Sequence, residues 1–182
     1  MSMKKPEIKI IKNALKDDDF QDLVTKYESA HWPETNHTIW RDTSLYSRAD
    51  NCHISITPID PISYVLEEVQ RHVWEPTDAD HFSTQLFYNY HNYSYINWHV
   101  DKGKDGGYNG AYTLYLNDVW DPNWGGQLLV GDSHFITPEK NMLVLLPPNV
   151  PHSVAMIHNG ADPRKVLQGF ILNVPRNEYE SR

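Results

Sequence analysis

Three side chains with metal-binding chemistry occur at a spacing that can bring them to one point. His99 and Asp101 are two residues apart, so in an extended segment both side chains leave the same face of the backbone. A second histidine, His152, opens a later apolar run directly after Pro151, which stiffens the approach to it. Two imidazoles and one carboxylate can hold a divalent ion such as Fe(II) from one side and leave its other side open for further ligands.

A single His-X-Asp triplet is weak by itself, because a chain with this many histidines and aspartates contains about one by chance. The downstream cation Arg164 strengthens the pattern. One strand away from the metal, a guanidinium could bind a carboxylate with two hydrogen bonds, so a dicarboxylate chelating the ion at one end would be held at the other. 2-Oxoglutarate has that length. Lys165 is the rival anchor, but neighbouring residues on a strand face opposite sides, so only one of the two can serve.

Residues 88–171 resemble the prolyl 4-hydroxylase branch of the Fe(II)- and 2-oxoglutarate-dependent oxygenases. Two departures from the family pattern stand out: the family often has glycine where this chain has Tyr93, and lysine where it has Arg164. The matching features occur in the family's order. They are Tyr90, His99-Val100-Asp101, Tyr115-Leu116-Asn117, Trp124-Gly125-Gly126-Gln127-Leu128, Pro151-His152, and the run from Arg164 to Phe170.

This resemblance implies that His99, Asp101 and His152 bind Fe(II). It also implies a reaction in which O₂ and 2-oxoglutarate give succinate and CO₂ while an unactivated C–H of the substrate is hydroxylated. The cofactors implied are Fe(II), 2-oxoglutarate and O₂, with ascorbate as a candidate reductant. The substrate implied is a prolyl peptide or a small molecule, including a free amino acid.

The same resemblance assigns the cosubstrate site. Arg164 and Tyr115 would hold the distal carboxylate of 2-oxoglutarate, and Tyr90 would line the same pocket. A simpler interpretation of both tyrosines is that they are core or cross-strand aromatics, because tyrosine is common in strands.

The elements that must position these residues change in character along the chain. A strand near residues 8–11, a helix near 18–29 and a helix after Asp60-Pro61 form an N-terminal α/β support, separated by a polar stretch at 31–51. Short aromatic or β-branched runs follow, with Gly, Pro, Asn and Asp between them. We predict strands at 82–91, 95–100, 111–116, 127–130, 142–146, 152–157 and 166–174.

The predicted fold is therefore mainly β with supporting helices, a double-stranded β-helix (a cupin-like jelly roll) with an N-terminal α/β support. At 182 residues the chain suits one domain. Its helical support would cover about 1–80 and its β core about 81–176. The glycine-rich stretch at 102–110 is either a mobile lid beside the metal or a connection without function.

Composition limits the partners and the location. The net charge is −8 and no basic stripe is present, so nucleic acid is not an expected partner. The lone cysteine, Cys52, cannot form an internal disulfide. Neither a signal peptide nor a membrane span is visible, which favours a cytoplasmic protein without a membrane partner. The oligomeric state is left open.

Two other functions are compatible with parts of the pattern. A non-catalytic cupin-type metal-binding or ligand-binding barrel could use the same three ligands, but it has no need for a cation one strand from the metal. A nucleic-acid demethylase on the same scaffold would share the triad and the cosubstrate, and the acidic balance argues against it.

Overall fold

The computed structural model describes residues 7–32, 54–131 and 134–181. Most of the predicted polar stretch at 31–51, together with Cys52, lies outside the described residues. Within the described part of the chain, every helix is too short or too polar to cross a membrane.

The larger of two antiparallel sheets has six strands in the order β1-β8-β5-β10-β3-β2. Its central strand β10 pairs with β3 on one side and with β5 on the other. The N-terminal part of the chain contributes both edge strands, because β1 pairs with β8 and β2 pairs with β3. The strands are β1 (Lys9–Ile11), β2 (Ile54–Ile59), β3 (Gln85–Tyr90), β5 (Tyr108–Tyr115), β8 (Leu143–Leu146) and β10 (Arg164–Leu172).

The smaller sheet has four strands in the order β4-β9-β6-β7. Its pairing places the end of β4 beside the start of β9. The strands are β4 (Ile96–His99), β6 (Leu128–Val130), β7 (His134–Ile136) and β9 (His152–Val154).

Two helices cover the outer face of the six-stranded sheet, and a short third helix ends the described chain. Helix α1 (Asp17–Glu28) begins with three aspartates, which suit the positive end of the helix dipole. Helix α2 (Ser63–His72) ends with Arg71 and His72 at the opposite pole. Helix α3 (Arg176–Glu180) follows β10 and presents Tyr179 to the β core.

The six-stranded sheet is buried on both faces, which explains why its strands are apolar nearly throughout. On β8, Val144 faces the core between the two sheets, whereas Leu143 and Leu145 face the helices. On β3, Phe87 likewise packs toward the helices, while Tyr88 and Tyr90 face inward. The strand period of two therefore sends alternate residues into separate cores and leaves an inner face of large aromatic side chains.

The structure confirms the predicted fold class, mainly β with antiparallel sheets and supporting helices. Every predicted strand and helix has a counterpart, with ends shifted by a few residues; β10 spans Arg164–Leu172 where 166–174 was predicted. The sequence prediction missed strands β2 and β7 and helix α3. It also treated the N-terminal part as support alone, whereas β1 and β2 are members of the main sheet.

Candidate active site

The structure brings His99, Asp101 and His152 together, although His152 is far from the other two in sequence. The pairing of β4 with β9 sets His99 directly opposite His152, with ring centroids 4.2 Å apart. Asp101 follows the end of β4 and reaches both rings, with 3.5 Å between Oδ1 and His99 Nε2 and 3.3 Å between Oδ2 and His152 Nε2. One ligand atom from each residue lies within 4.8 Å of the others, which suits a shared metal ion.

Backbone hydrogen bonds fix the orientation of both imidazoles. His99 Nδ1 lies 2.7 Å from the carbonyl oxygen of Asn97, and His152 Nδ1 lies 3.0 Å from that of Val150. Carbonyl oxygens only accept, so each Nδ1 carries the proton and donates it. Nε2, the nitrogen that faces Asp101, is then the atom of each ring that would bind a metal, as in most histidine metal sites.

The Asp101 carboxyl is held in its charged form. Burial raises its pKa, but the contacts with His152 and then His99 outweigh burial and bring the pKa below its ordinary value. Its Oδ2 atom is buried and accepts no hydrogen bond within the described structure. A buried carboxylate oxygen without a donor is costly, so the donor set fits a cation placed between the three side chains.

Arg164 is a second buried charge, and it too is incompletely satisfied. The residue is 2% exposed, and its Nε has no hydrogen-bond partner in the described part of the chain. Its Nη2 donates to the Tyr115 hydroxyl at 3.2 Å, and we find no ion pair between its guanidinium and an acid of the described residues. A buried guanidinium that lacks a carboxylate costs several kcal/mol, so the site suits an anionic ligand.

Tyrosine rings form the walls around Arg164. The guanidinium carbon lies 4.7 Å from the ring centroid of Tyr90 and 5.0 Å from that of Tyr115. Burial raises the pKa of Tyr90 even against the positive charge of Arg164, so this phenol stays neutral. The structure therefore brings Tyr90, Tyr115 and Arg164 together on adjacent strands. This arrangement is compatible with both predicted roles of the two tyrosines, as core aromatics and as residues of the cosubstrate pocket.

Lys165 faces away from this pocket. Its Nζ lies 2.6 Å from Glu28 Oε1 and 5.5 Å from the ring centroid of Tyr27, both on helix α1. The alternation along β10 thus sends the two neighbouring cations to opposite faces of the sheet, as the strand period requires.

Gly125 and Gly126 let two segments approach the pocket more closely than a side chain would allow. A Cβ on Gly125 would lie 2.0 Å from the Met156 carbonyl oxygen. One on Gly126 would lie 2.9 Å from the Trp120 ring and 3.2 Å from Cδ of Arg164. Both glycines have positive φ, a conformation that favours glycine. The turn that they form packs directly against the aliphatic stem of the buried Arg164.

The sequence model of the 2OG-Fe(II) oxygenase superfamily matches residues 86–172, a range that contains all six candidate site residues. This part of the chain is therefore similar in sequence to the 2OG-Fe(II) oxygenase superfamily. No curated protein sequence matches the chain.

Solved structures of three prolyl hydroxylases share the fold of the chain. A prolyl-4-hydroxylase from Pseudomonas putida aligns with a TM-score of 0.67 and 19% identity, covering 92% of each chain. A Trichoplax adhaerens prolyl hydroxylase, in complex with a hypoxia inducible factor peptide fragment, aligns with a TM-score of 0.70 and 18% identity over 96% of this chain and 86% of the other. The viral collagen prolyl hydroxylase of Paramecium Bursaria Chlorella virus-1, in complex with 2OG, aligns with a TM-score of 0.66 and 13% identity. That alignment covers 93% of this chain and 97% of the viral one.

The candidate site is bordered by a side chain that the sequence did not single out. Tyr88 lies two residues before Tyr90 on β3, and their rings stack with centroids 5.8 Å apart. Burial, Tyr90 and Asp101 all raise the pKa of Tyr88, so its phenol is neutral. The period of two along β3 is the signal that could have identified it.

Tyr93, where the family often has glycine, has a φ of +67°, a conformation that favours glycine.

A second group with metal-ligand chemistry, Asp78, Asp80 and His81, lies outside the candidate site. The two aspartates are exposed, and His81 is already hydrogen-bonded to Asp80 at 2.9 Å. Exposed acidic groups of this kind are common without a metal, so His81→Ala is a suitable control for substitutions in the triad.

Gly125→Ala should destabilise the fold strongly, because the new Cβ would overlap the Met156 carbonyl oxygen. We expect a loss of about 3 kcal/mol or more in the free energy of unfolding, measured by urea denaturation. Gly131→Ala is the matched control: its φ is also positive, at +53°, but the Cβ would meet open space. This control should lose about 1 kcal/mol, the conformational cost alone. Equal losses in the two variants would contradict the close packing at Gly125.

Proposed function

We propose that this protein is an Fe(II)- and 2-oxoglutarate-dependent hydroxylase in which His99, Asp101 and His152 hold the iron and Arg164 anchors the cosubstrate. The reaction would consume O₂, 2-oxoglutarate and a substrate C–H, and would yield succinate, CO₂ and the hydroxylated substrate. The proposed substrate is a peptide, prolyl or otherwise, or a small molecule. Ascorbate is the proposed reductant that keeps the iron in its Fe(II) form.

The observation that carries this proposal is the unpaired guanidinium of Arg164. A metal site alone would need only the triad, and the fold would be more stable with an apolar residue at position 164. The buried cation, the Tyr115 hydroxyl bound to it and the flanking Tyr90 ring instead suit one carboxylate of a bound dianion. A non-catalytic metal-binding barrel does not account for this arrangement.

When bound, Fe(II) with 2-oxoglutarate supplies the oxidising chemistry, and the protein supplies geometry. The Nδ1 hydrogen bonds to Asn97 and Val150 hold both imidazoles with Nε2 toward the iron position. Asp101 contributes negative charge on the same side. Arg164 and Tyr115 orient the cosubstrate by its distal end, and the tyrosine walls exclude water from that end.

The superfamily match at residues 86–172 covers only the β core, so the extent of the domain is part of the proposal. We propose that the whole chain folds as one domain. Support comes from β1 and β2, which extend the same six-stranded sheet that carries Arg164, and from helices α1 and α2, which cover that sheet.

Anaerobic titration with Fe(II) and 2-oxoglutarate tests the proposed function. The expected result is a weak visible charge-transfer band that saturates at one equivalent of iron, followed by succinate release when air is admitted. The band depends on simultaneous binding of metal and cosubstrate, so it reports the site without any substrate. Absence of both the band and succinate, with prolyl peptides and free amino acids supplied, would refute the oxygenase proposal.

A further inference from the structure

Strand β10 extends past the end of its neighbour β5, and the extension carries Arg164. The last residue of β5, Tyr115, pairs with Val166 of β10. Beyond that pair, the Leu116 amide donates to the Lys165 carbonyl oxygen at 3.0 Å, and the chain then leaves the strand pairing. On this side of β10, the backbone groups around Arg164 therefore need other hydrogen-bond partners.

The side-chain amide of Asn117 supplies those partners on both sides of Arg164. Its Oδ1 accepts a hydrogen bond from the Lys165 amide at 2.7 Å, and its Nδ2 donates to the Pro163 carbonyl oxygen at 2.9 Å. Asn117 is 7% exposed, so both hydrogen bonds are largely shielded from water. The amide thus takes the place of the next peptide group of β5, and its two hydrogen bonds flank the first residue of β10.

The same loop also holds the aliphatic stem of Arg164. Trp120, three residues after Asn117, donates from Nε1 to the Gly125 carbonyl oxygen at 3.0 Å. The Trp120 ring and Cδ of Arg164 both lie within 3.2 Å of the position that a Cβ on Gly126 would occupy. The segment after β5 therefore contacts Arg164 twice, at its backbone through Asn117 and at its stem through the glycine turn.

A buried cation at the end of a strand needs such support. The Arg164 side chain is buried and its Nε has no hydrogen-bond partner in the described part of the chain, so a move toward water would lower its free energy. Strand ends are also where a backbone opens most easily. The two hydrogen bonds of Asn117 oppose both tendencies before an anion binds.

We propose that Asn117 is a positioning residue for the cosubstrate site, which fixes the backbone of Arg164 so that the guanidinium is preorganised for the distal carboxylate of 2-oxoglutarate. The inference rests on the proposed function, since it takes Arg164 as the anchor. Preorganisation reduces the ordering cost of binding. It also makes the pocket selective for length, because a fixed guanidinium suits a dicarboxylate of one length and leaves a longer one badly placed.

Asn117→Ala should weaken 2-oxoglutarate binding about tenfold and leave the Fe(II) affinity within about twofold. Both affinities are measured anaerobically, the first by titrating the charge-transfer band at saturating iron, under conditions where circular dichroism shows the variant folded. 2-Oxoadipate is one carbon longer and chelates iron through the same 2-oxo acid group. Because Arg164 would no longer be fixed, the preference for 2-oxoglutarate over 2-oxoadipate should fall about threefold or more in the variant.

Asn117→Thr is a milder second variant, which keeps a hydroxyl in part of the space of the amide. Its loss of 2-oxoglutarate affinity should lie between those of the wild type and Asn117→Ala, and it decides the question if the alanine variant does not fold. Affinity and length preference equal to those of the wild type in the folded Asn117 variants would overturn the inference.

Gln85→Ala is the matched control, because Gln85 is a buried amide with the same kind of bonding far from Arg164. It accepts from the Ile62 amide at 2.6 Å and donates to the Tyr112 hydroxyl at 3.1 Å, at the end of β3 opposite Tyr90. We expect this variant to lower the urea midpoint of unfolding at least as much as Asn117→Ala, while its affinity for 2-oxoglutarate stays within about twofold of the wild type. Equal losses of affinity in the two variants would make general destabilisation the cause and overturn the inference.

Combining Asn117→Ala with Arg164→Met tests whether Asn117 acts through Arg164. Once the guanidinium is gone, its position has no effect, so the double variant should bind 2-oxoglutarate within about twofold of Arg164→Met alone. A further loss of about tenfold in the double variant would mean that Asn117 acts on the cosubstrate independently of Arg164, and would overturn the inference.

The failure of the inference and the failure of the proposed function are distinguishable. If the wild-type protein shows no charge-transfer band with Fe(II) and 2-oxoglutarate, the proposed function fails and the inference fails with it. If the band is present and the Asn117 variants bind 2-oxoglutarate as the wild type does, only the inference fails.

Discussion

His152→Ala should lower the affinity for Fe(II) by at least about 100-fold, because it removes one of two nitrogen ligands from a three-residue site. His99 and Asp101 would remain close to each other, but they supply only two of the three metal ligands. The loss is measured by anaerobic Fe(II) titration against a competing chromophoric chelator. The charge-transfer band with 2-oxoglutarate should disappear in the same variant.

His81→Ala is the matched control for this experiment. It removes a histidine from the exposed Asp78, Asp80 and His81 cluster, the other group of described residues with ligand atoms close enough to share a metal. We expect its Fe(II) affinity to equal that of the wild type. Loss of iron in His81→Ala with retention in His152→Ala would move the metal to the surface cluster and refute the proposed site.

Arg164→Met should weaken 2-oxoglutarate binding about 100-fold or more, roughly 3 kcal/mol, and leave the Fe(II) affinity unchanged. The guanidinium is buried and unpaired, so its partner carboxylate would lose a charge-assisted, desolvated contact. Methionine keeps much of the side-chain length between Tyr90 and Tyr115 without the charge. The affinity is measured by titrating the charge-transfer band with 2-oxoglutarate at saturating iron.

The same substitution should raise the stability of the protein measured without cosubstrate. Replacing a buried, unpaired charge by an apolar side chain removes a desolvation cost, and we expect a gain of about 1–4 kcal/mol in the free energy of unfolding. Lys165→Met is the control: its ammonium contacts Glu28 on the opposite face, so neither quantity should change by much. Normal 2-oxoglutarate affinity in Arg164→Met with a loss in Lys165→Met would assign the anchor to Lys165.

The geometry at β10 shows what strand periodicity can decide in advance. Arg164 and Lys165 are adjacent cations, and the period of two is enough to predict that one faces the site and the other does not. The sequence cannot say from periodicity alone which of them does, and the resemblance to the oxygenase family supplied that choice. The structure places Arg164 inside, between Tyr90 and Tyr115, and Lys165 outside.

The missed strands have a physical explanation. Strand β2 contains Pro58, which removes a backbone donor and weakens a strand prediction, but β2 is an edge strand and an edge tolerates proline. Strand β7 has three residues, and Phe135 in it is exposed, so it lacks the alternating pattern of a longer strand. Both strands owe their existence to pairing with a neighbouring strand.

The aromatic packing around Tyr108 is a part of the structure that the sequence could not reveal. Tyr108, Phe170 and Tyr179 come together only through the pairing of β5 with β10 and the return of helix α3, and they share no motif or spacing. The Gly125-Gly126 pair was visible as a turn, but its reason, the close approach of Met156 and Arg164, depends on contacts distant in sequence. Local patterns thus identified the ligands, whereas the walls around them depend on tertiary packing.

A structure of crystals grown without oxygen in the presence of Mn(II) and 2-oxoglutarate would show whether the triad and Arg164 form one site. We expect one metal ion bound by Nε2 of His99, Nε2 of His152 and a carboxylate oxygen of Asp101, with the distal carboxylate of 2-oxoglutarate on the guanidinium of Arg164. A metal at Asp78, Asp80 and His81, or a cosubstrate whose distal carboxylate does not contact Arg164, would contradict it.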